Sequence, residues 1–376
     1  MRYRGDFDSP FRADIVGSFL RPATIKQARL DRDAGVITAA ELTAIEDDEI
    51  AALVAEQRAA GLEVATDGEF RRGWWHFDFF GMLNGVEIVE QEHGIQFTGV
   101  ETKPHGIRVT GPISFPADHP MLEHFRKLAL AVASSETAAT PKMTIPAPSV
   151  LHFRLGRDAV DPAVYTSRDA LFDDLAAAYR AAIAAFYDAG CRYLQFDDTA
   201  WAYLCSRDEL AGARERGTDT DGLAEAYAAL INASLAGRPG DLTITTHVCR
   251  GNFRSTWISS GGYEPIAEQL LAVCDYDGYF LEYDSDRAGG FEPLRFLPVG
   301  DKVVVLGLVT TKTGALEDPS DIQRRIDEAA EFAPRDQLAL SPQCGFASTE
   351  DGNDLTVDEQ WAKIREVVSV AAAAWV

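Results

Sequence analysis

Eight short apolar segments, rich in β-branched residues, recur along the chain, and segments with helical spacing of apolar residues separate them. This alternation is typical of repeated βα units, in which parallel strands are joined by helices. The sequence therefore predicts an α/β fold, a (β/α)8 TIM barrel, with functional groups at the carboxyl ends of its strands. The predicted strands are Asp14–Ser18, Leu62–Thr66, Lys142–Ile145, Arg192–Phe196, Leu242–Thr246, Gly278–Leu281, Lys302–Leu306 and Gln337–Leu340.

The helical segments carry their own boundary signals. Thr38 and Glu41 have the spacing of a capping box, which predicts a helix from Thr38 to Ala60 that ends at Gly61. Four further helices are predicted, over Asp169–Ala189, Gly222–Leu235, Tyr263–Val273 and Ser320–Phe332.

Three segments fall outside the βα alternation. Val86–Phe97 and Ile107–Ser114 are predicted to form a β-hairpin inserted after the second strand. Met1–Phe11 is predicted to be an irregular arm, and Ser206–Asp221, rich in charge and glycine, a surface excursion. No linker or repeat interrupts the pattern, so we expect residues 1–376 to form a single domain.

The composition restricts the classes of partner. The chain has 59 acidic against 35 basic residues, a formal net charge of −24, which argues against nucleic acids and anionic membranes as partners. The N-terminal residues lack the apolar core of a signal peptide, and we expect a cytoplasmic protein. Five scattered cysteines are an odd set that fits metal or catalytic use better than a disulfide framework.

The motif THVCRGN places His247 and Cys249 one residue apart after an apolar run. In a strand, residues i and i+2 point to the same face, so imidazole and thiolate can bind one ion. Glu282 follows the sixth predicted strand and Cys344 the eighth, and both can reach the same rim of the barrel. This mixed set of ligands selects Zn²⁺, and we expect Glu282 to be the ligand that a substrate thiol displaces before S-alkylation.

Polar groups follow other predicted strands as well. Gly17 and Ser18 in VGSFLRP offer backbone N–H groups suited to a carboxylate, although an ordinary βα turn is an equal alternative. Asp197 and Asp198 are adjacent carboxylates after a buried strand, which is costly unless cations or a metal neutralise them. Glu69 and Asp197 together could bind a substrate ammonium, and Asp198 is a candidate catalytic carboxylate.

The segment TDGEFRRGWWHFDFF is dense in charged and aromatic residues after the second predicted strand. Besides Glu69 it supplies Arg71, Arg72 and His76 as candidate substrate-binding residues in a pocket wall. The alternative is a salt-bridged surface loop.

By these residues the chain resembles the cobalamin-independent methionine synthases, and more closely the shorter, single-barrel, 5-methyltetrahydropteroyltriglutamate–homocysteine methyltransferase-like members. The resemblance runs from VGSFLRP to SPQCGF and so covers nearly the whole chain. It implies a zinc-bearing barrel in which Ser18, Glu69 and Asp197 bind the carboxylate and ammonium of homocysteine. The metal ligands that it implies are His247, Cys249, Glu282 and Cys344. The implied partners are homocysteine and a methyl donor, either a methyl-folate or a methyl-corrinoid, including a corrinoid protein.

The chain departs from the family at the donor side. The full-length family has an additional N-terminal barrel that helps to bind polyglutamyl folate, which these residues do not include. The family's pterin-stacking tryptophan falls at Phe153, and its catalytic histidine, which assists proton delivery to the departing folate nitrogen, falls at Lys312. A lysine could donate that proton if burial lowered its pKa from about 10.4. The acceptor half of the site therefore matches the family while the donor half differs.

Three hypotheses follow. The first is a zinc-dependent methyltransferase that makes methionine from homocysteine. The second is thiol alkylation like that of the epoxyalkane:coenzyme M transferases, where Arg71 and Arg72 could bind the sulfonate, but Glu69 and Asp197 argue against it. The third is a non-catalytic zinc- or thiol-binding barrel, supported only by the changes at Phe153 and Lys312.

Overall fold

A curled sheet of seven parallel strands forms the centre of the molecule, in a computed structural model that describes residues 9–135, 138–156 and 158–375. Neighbouring strands of this sheet follow the order in which they occur along the chain, and they are buried on both faces, as expected of a parallel sheet covered by helices. This confirms the predicted α/β barrel class. The strands are β1 (Val64–Ala65), β6 (Thr140–Pro146), β7 (Tyr193–Asp198), β8 (Thr243–Val248), β9 (Gly278–Glu282), β10 (Val303–Val309) and β11 (Leu338–Pro342).

The predicted first strand, Asp14–Ser18, differs from the prediction because it forms isolated bridges instead of a regular ladder. Ala13 forms a parallel bridge with Leu340 of β11, and Ser18 forms one with Gly68, just beyond β1. The segment therefore connects the two edge strands of the seven-stranded sheet. Its side-chain chemistry explains the irregularity: the Asp14 carboxylate accepts hydrogen bonds from backbone N–H groups of its own segment, including that of Ile15 at 2.7 Å, and such bonds compete with a ladder.

A buried ion pair fixes this segment to the sheet. Lys142 Nζ on β6 lies 3.2 Å from Asp14 Oδ1 and donates to the Ile15 carbonyl oxygen at 2.6 Å. Tyr193 on β7 donates its hydroxyl to Asp14 Oδ2 at 2.8 Å. The Lys142 ammonium also lies 4.1 Å from the centre of the Phe280 ring on β9. The ion pair of Lys142 and Asp14 therefore connects the segment Asp14–Ser18, called the closing segment below, to β6, β7 and β9.

Helices cover the sheet, and the capping box predicted at Thr38 and Glu41 is present, with Thr38 Oγ1 accepting from Glu41 N at 3.2 Å. The segment predicted as a helix over Tyr263–Val273 contains a π-helix, Glu268–Val273, in place of an α-helix. Short 3-10 helices span Asp286–Ala288, Glu292–Phe296 and Arg335–Gln337. The α-helices are α1 (Ala23–Asp33), α2 (Ala39–Ala59), α3 (Phe77–Phe80), α4 (Pro120–Ala133), α5 (Pro148–Arg154), α6 (Arg168–Asp188), α7 (Ala200–Leu204), α8 (Arg207–Glu215), α9 (Leu223–Leu235), α10 (Pro319–Ala329) and α11 (Val357–Ala374).

Two antiparallel pairs of strands are inserted between β1 and β6. Strand β2 (Asn84–Glu90) pairs with β5 (His105–Ser114), and β3 (Gln96–Phe97) pairs with β4 (Val100–Glu101). The sequence had placed Phe97 in the same strand as Val86, whereas the structure puts it in the second, shorter pair. Thr98 N donates to the Trp257 carbonyl oxygen at 3.0 Å, which ties the insertion to the loop after β8.

Two predicted segments need separate mention. The predicted arm Met1–Phe11 lies mainly outside the described residues, and the predicted excursion Ser206–Asp221 contains helix α8. Within the described ranges, no helix combines the length and the apolar character needed to cross a membrane.

The buried pair of Lys142 and Asp14 yields a stability prediction. Lys142→Met should lower the free energy of unfolding by about 3–5 kcal/mol, because it leaves the Asp14 carboxylate buried without its cation. Asp14→Asn in the same chain should restore part of that loss. The half-exposed Lys127, which pairs with Asp47 at the surface, provides the control, and Lys127→Met should cost no more than about 1 kcal/mol. Denaturant unfolding of the four proteins measures this, and equal losses for both single lysine variants would contradict the assigned role.

Candidate metal and substrate site

Four potential metal ligands meet at the rim formed by the carboxyl ends of the strands. His247 lies on β8, and Cys249 is the first residue after that strand. Glu282 ends β9, and Cys344 comes two residues after β11. Their ligand atoms all lie within 4.8 Å of one another, and the two sulfur atoms are 3.7 Å apart. Two thiolates on one tetrahedral zinc, with zinc–sulfur bonds of about 2.3 Å, would be separated by roughly 3.8 Å. The spacing of the cluster therefore suits one ion.

The polar atoms of this cluster have unused bonding capacity. Both ring nitrogens of His247 and Oε2 of Glu282 are buried and have no hydrogen-bond partner within the described part of the chain. Such burial is costly unless a cation or hydrogen bond compensates. The backbone supplies an outer layer, because Arg250 N donates to Glu282 Oε1 at 2.8 Å and Gly251 N to Cys249 Sγ at 3.3 Å. The residues present thus fit a metal ion and hold its ligands in place.

The charges of the ligands depend on one another. A hydrogen bond from the Cys249 thiol, assisted by the nearby His247, holds the pKa of Cys344 well below its usual value, while the same hydrogen bond raises the pKa of Cys249. Burial raises the pKa of Glu282 to about 7, against the opposing charge of Lys312. Several anions this close together repel one another, so a divalent cation would allow both thiols to ionise.

A cavity of about 610 Å³, counting the solvent at its mouth, leads to this cluster. Its lining includes the polar side chains of Ser18, Glu69 and Asp197 and several aromatic rings. The rings belong to Trp74, Trp75, Phe97, Tyr203 and Phe253. The lining thus combines charged and polar groups with aromatic rings, which is common in sites that bind small molecules.

The carboxylates of Glu69 and Asp197, which line the cavity, are each fixed by hydrogen bonds from neighbouring side chains. Glu69 Oε1 accepts from Thr144 Oγ1 at 2.9 Å and lies 3.4 Å from Arg72 Nη1, whereas Glu69 Oε2 is buried with no hydrogen-bond partner among the described residues. Asp197 Oδ1 accepts from Gln195 Nε2 at 2.7 Å. Burial raises the pKa of both carboxyl groups, that of Asp197 to about 7. A cationic group bound between them would favour their ionised forms.

The backbone around these groups is strained or tightly packed. Glu69 has a φ of 59°, which is uncommon for a residue with a side chain and is a frequent feature of binding sites. Ser18 Oγ accepts from Ala347 N at 3.3 Å, and a Cβ added to Gly345 would lie 1.9 Å from that oxygen. Glycine after Cys344 therefore allows the loop after β11 to approach Ser18 closely.

Some predicted residues support the site from outside the cavity. Arg72 Nη2 donates to the Thr144 carbonyl oxygen at 2.6 Å. This hydrogen bond joins Arg72 to Thr144, the two residues that contact the Glu69 carboxylate. Gly17 accepts a hydrogen bond from Thr66 Oγ1 at 2.6 Å through its carbonyl, and a Cβ there would lie 2.8 Å from Thr144 Cγ2. Gly17 thus has a packing role in the observed turn.

Other predicted residues lie farther from the cavity. Arg71 forms ion pairs with Glu46, at 3.1 Å, and Asp47 on α2. Asp198 accepts from the Ser149 hydroxyl and from Ala200 N at the start of α7, and burial raises its pKa to about 6. These contacts give both side chains partners of their own away from the cluster.

Three more predicted residues lie near the cavity. His76 is fully buried with its ring centre 4.0 Å from that of Phe77, and burial lowers its pKa well below the usual value. Phe153 stacks on Tyr203 at 4.9 Å and lines a second, adjoining cavity. Lys312 is 7% exposed, and its Nζ has no hydrogen-bond partner in the described ranges.

Sequence reasoning missed several lining residues. Asn252 lies three residues after Cys249 and donates to the Gly345 carbonyl oxygen at 2.6 Å, and the THVCRGN motif itself could have signalled it. Phe97 and Tyr203 line the cavity because an inserted strand and a short helix bring them there, and no local pattern in the sequence predicts that placement.

The sequence model described as "Cobalamin-independent synthase, Catalytic domain" matches residues 11–373. The uncharacterized protein YxjG of Bacillus subtilis (strain 168) is 53% identical over 367 residues, 97% of this chain and 95% of its own. A solved structure from Listeria monocytogenes, provisionally assigned as a vitamin B12-independent methionine synthase, is 44% identical and covers 98% of both chains with a TM-score of 0.78. A B12-independent methionine synthase from Shewanella sp. W3-18-1, solved with selenomethionine, shares the fold at 18% identity and a TM-score of 0.71 over 96% of this chain and 97% of that one.

The geometry of the cluster predicts how metal binding fails. Cys249→Ser and Cys344→Ser should each lower the affinity for a divalent metal by at least about 100-fold, more than the loss of an outer-shell partner costs. Cys191→Ser is the matched control, because Cys191 is buried and its Sγ lies 3.2 Å from the Tyr193 carbonyl oxygen, away from the cluster. Metal content after dialysis against a competing chelator measures the effect. Full metal retention in both ligand variants would rule out this site.

Proposed function

Because the chain belongs to the family of cobalamin-independent methionine synthase catalytic domains, we propose that it is a zinc-dependent methyltransferase that converts homocysteine to methionine. The observation that carries the proposal is a single cavity lined by three members of the four-residue cluster, His247, Cys249 and Cys344, together with the carboxylates of Glu69 and Asp197. We propose also that residues 1–376 act as one catalytic barrel domain.

Zinc is the metal we propose, because two thiols, an imidazole and a carboxylate are its preferred ligands. His247, Cys249, Glu282 and Cys344 would hold it. When bound, zinc supplies a Lewis acid that keeps a substrate thiol ionised near neutral pH.

The chain's own residues would orient the amino acid part of homocysteine. Glu69 Oε2, which has no hydrogen-bond partner among the described residues, and the Asp197 carboxylate would bind the ammonium group. The backbone and hydroxyl of Ser18, beside the loop after β11, would bind the carboxylate. These contacts would aim the thiol towards the sulfur and imidazole ligands, and the narrow inner end of the cavity would exclude water.

At the donor side, Lys312 would hold the proton that the departing group accepts. It follows β10 and is nearly buried, and its positive charge acts to lower the pKa values of Glu282 and Cys344. The donor itself would be a methyl-folate or a methyl-corrinoid, and the rings at the cavity mouth suit a flat molecule.

The two alternatives have less support. A coenzyme M sulfonate would need a cation in the cavity, but Arg71 pairs with Glu46 and Asp47, and Arg72 lies against Glu69. A non-catalytic barrel would bind homocysteine without transferring a methyl group.

Methionine formation tests the proposal. Zinc-loaded protein is incubated with homocysteine and, in turn, 5-methyltetrahydrofolate as mono- and triglutamate, methylcobalamin and a methylated corrinoid protein. Methionine is expected with at least one donor. Homocysteine binding without product in every reaction would favour the non-catalytic alternative, and tighter binding of coenzyme M than of homocysteine would favour the second alternative.

Substitution of the two carboxylates tests the ammonium contact. Glu69→Gln and Asp197→Asn should each raise the dissociation constant of homocysteine by roughly 10- to 100-fold, because each removes a charged hydrogen-bond acceptor from a buried site. Binding of 3-mercaptopropionate, a thiol acid without the ammonium, should change little. Glu63→Gln, an exposed carboxylate just before β1, is the matched control and should behave as wild type. Equal losses for homocysteine and 3-mercaptopropionate would argue against the ammonium contact.

A further inference from the structure

A second cavity adjoins the one that contains the metal ligands. It occupies about 790 Å³, counting the solvent at its mouth, and lies between the inserted strands and the segments that carry α5 and α8. The two cavities share Ile95 and Arg154 as lining residues. The second cavity also contains Arg216, which comes from the excursion Ser206–Asp221, a segment with no role in the proposed homocysteine site.

Arg154 stands at the border between the two cavities. Its Nη2 donates to the hydroxyl of Tyr203, and its guanidinium carbon lies 4.9 Å from the centre of that ring. Its Nε is buried and has no hydrogen-bond partner in the part of the chain that the structure describes. Tyr203 itself lines the first cavity, so the Arg154 guanidinium contacts an aromatic residue of the first cavity and also lines the second.

Arg216 is a second cation on the same cavity. It caps the C-terminus of α8, and its guanidinium carbon lies 6.0 Å from the centre of the Phe153 ring. Partial burial and, next, the charge of Arg154 lower the pKa of Arg216. The Arg216 side chain is exposed at the edge of the cavity, so solvent weakens this repulsion, and an anion between the two guanidinium groups would relieve what remains of it.

The other charged group of this cavity compensates only in part. Glu209, also on α8, lines the same wall, and burial raises its pKa while Arg154 and Arg216 lower it. Among the residues that line this cavity, one carboxylate therefore faces two guanidinium groups, and the charge of Glu215, which precedes Arg216 in the chain, also acts on Arg216. A pair of guanidinium groups on a chain of formal net charge −24 favours a ligand with an anionic group.

We propose that the second cavity binds an oxyanionic group of the methyl donor between Arg154 and Arg216, while the methyl-bearing ring of the donor reaches the metal cavity past Arg154. The inference rests on the proposed function and specifies its donor site. Both donor classes carry such a group, since folates end in glutamate carboxylates and cobalamin contains a phosphodiester. Arginine is suited to either, because its planar guanidinium pairs with carboxylate and phosphate in the same geometry.

Equilibrium binding tests the proposal independently of turnover. The probes are 5-methyltetrahydrofolate as mono- and triglutamate, and methylcobalamin compared with methylcobinamide, which lacks the phosphodiester. Wild-type protein should bind the more anionic member of one pair more tightly. Arg216→Gln should weaken that binding by roughly tenfold and largely remove the preference, because a charged hydrogen bond is lost. Arg216→Lys should retain part of the preference.

Arg214→Gln is the matched control. Arg214 lies on the same helix, is exposed and pairs with Asp221 at 3.9 Å, and it does not line the cavity. This variant should keep wild-type affinities for all four probes. Homocysteine binding and the Tm of Arg216→Gln report separately on the metal cavity and on folding.

The outcomes are distinguishable. A pair in which the affinity difference disappears in Arg216→Gln and persists in Arg214→Gln supports the proposal and identifies the donor class. Equal affinities within both pairs in wild type, or a preference that Arg216→Gln leaves intact, would overturn it, even if methionine is formed. Absence of methionine with a preserved, Arg216-dependent preference would count against the proposed function alone.

Discussion

The parallel register of the strands is the constraint on which the site depends. Because all seven strands run in one direction, their carboxyl ends share one rim, and Asp197 on β7 lies directly opposite His247 on β8. The same parallel register places Glu282, at the end of β9, opposite Gly307 on β10. Glu282 and Cys344, which lie far from the His247–Cys249 motif in the sequence, are thereby brought within 4.8 Å of it. The closing segment contributes its polar groups to the same rim through the bridge between Ser18 and Gly68.

Buried charge is handled differently at the two ends of the barrel. Near the bridge from Ala13 to Leu340, Asp14 and Lys142 neutralise each other within the protein, and their hydrogen bonds complete the closing segment. At the rim, Glu282 Oε2 and both ring nitrogens of His247 lie beside the two thiols and have no hydrogen-bond partner among the described residues. The Asp14–Lys142 pair has its charges compensated within the protein. The polar groups at the rim lack such partners, and uncompensated buried polar groups are typical of a functional site that binds a ligand.

The two adjoining cavities illustrate how insertions adapt a common barrel. The inserted strands bring Phe97 to the lining of the cavity beside the candidate metal cluster, and the excursion after α7 brings Arg216 to the second cavity. Neither segment belongs to the repeated βα pattern, and both modify the space that a second substrate would occupy. Variation in loops above a constant set of strand ends is how barrels of this class change specificity while they keep their chemistry.

The sequence alone determined the barrel class, the capping box at Thr38, and the four residues of the candidate metal cluster, because strand periodicity and the position of a residue at a strand end are local properties. It did not determine which arginines face the cavity. Arg71 and Arg72 are neighbours in the sequence, yet Arg71 pairs with α2 and Arg72 supports Glu69. Arg154 and Arg216 stand at the cavities although no motif marks them. Tertiary packing decided these positions, because the direction of a long side chain in a loop depends on the partners that the fold brings to it.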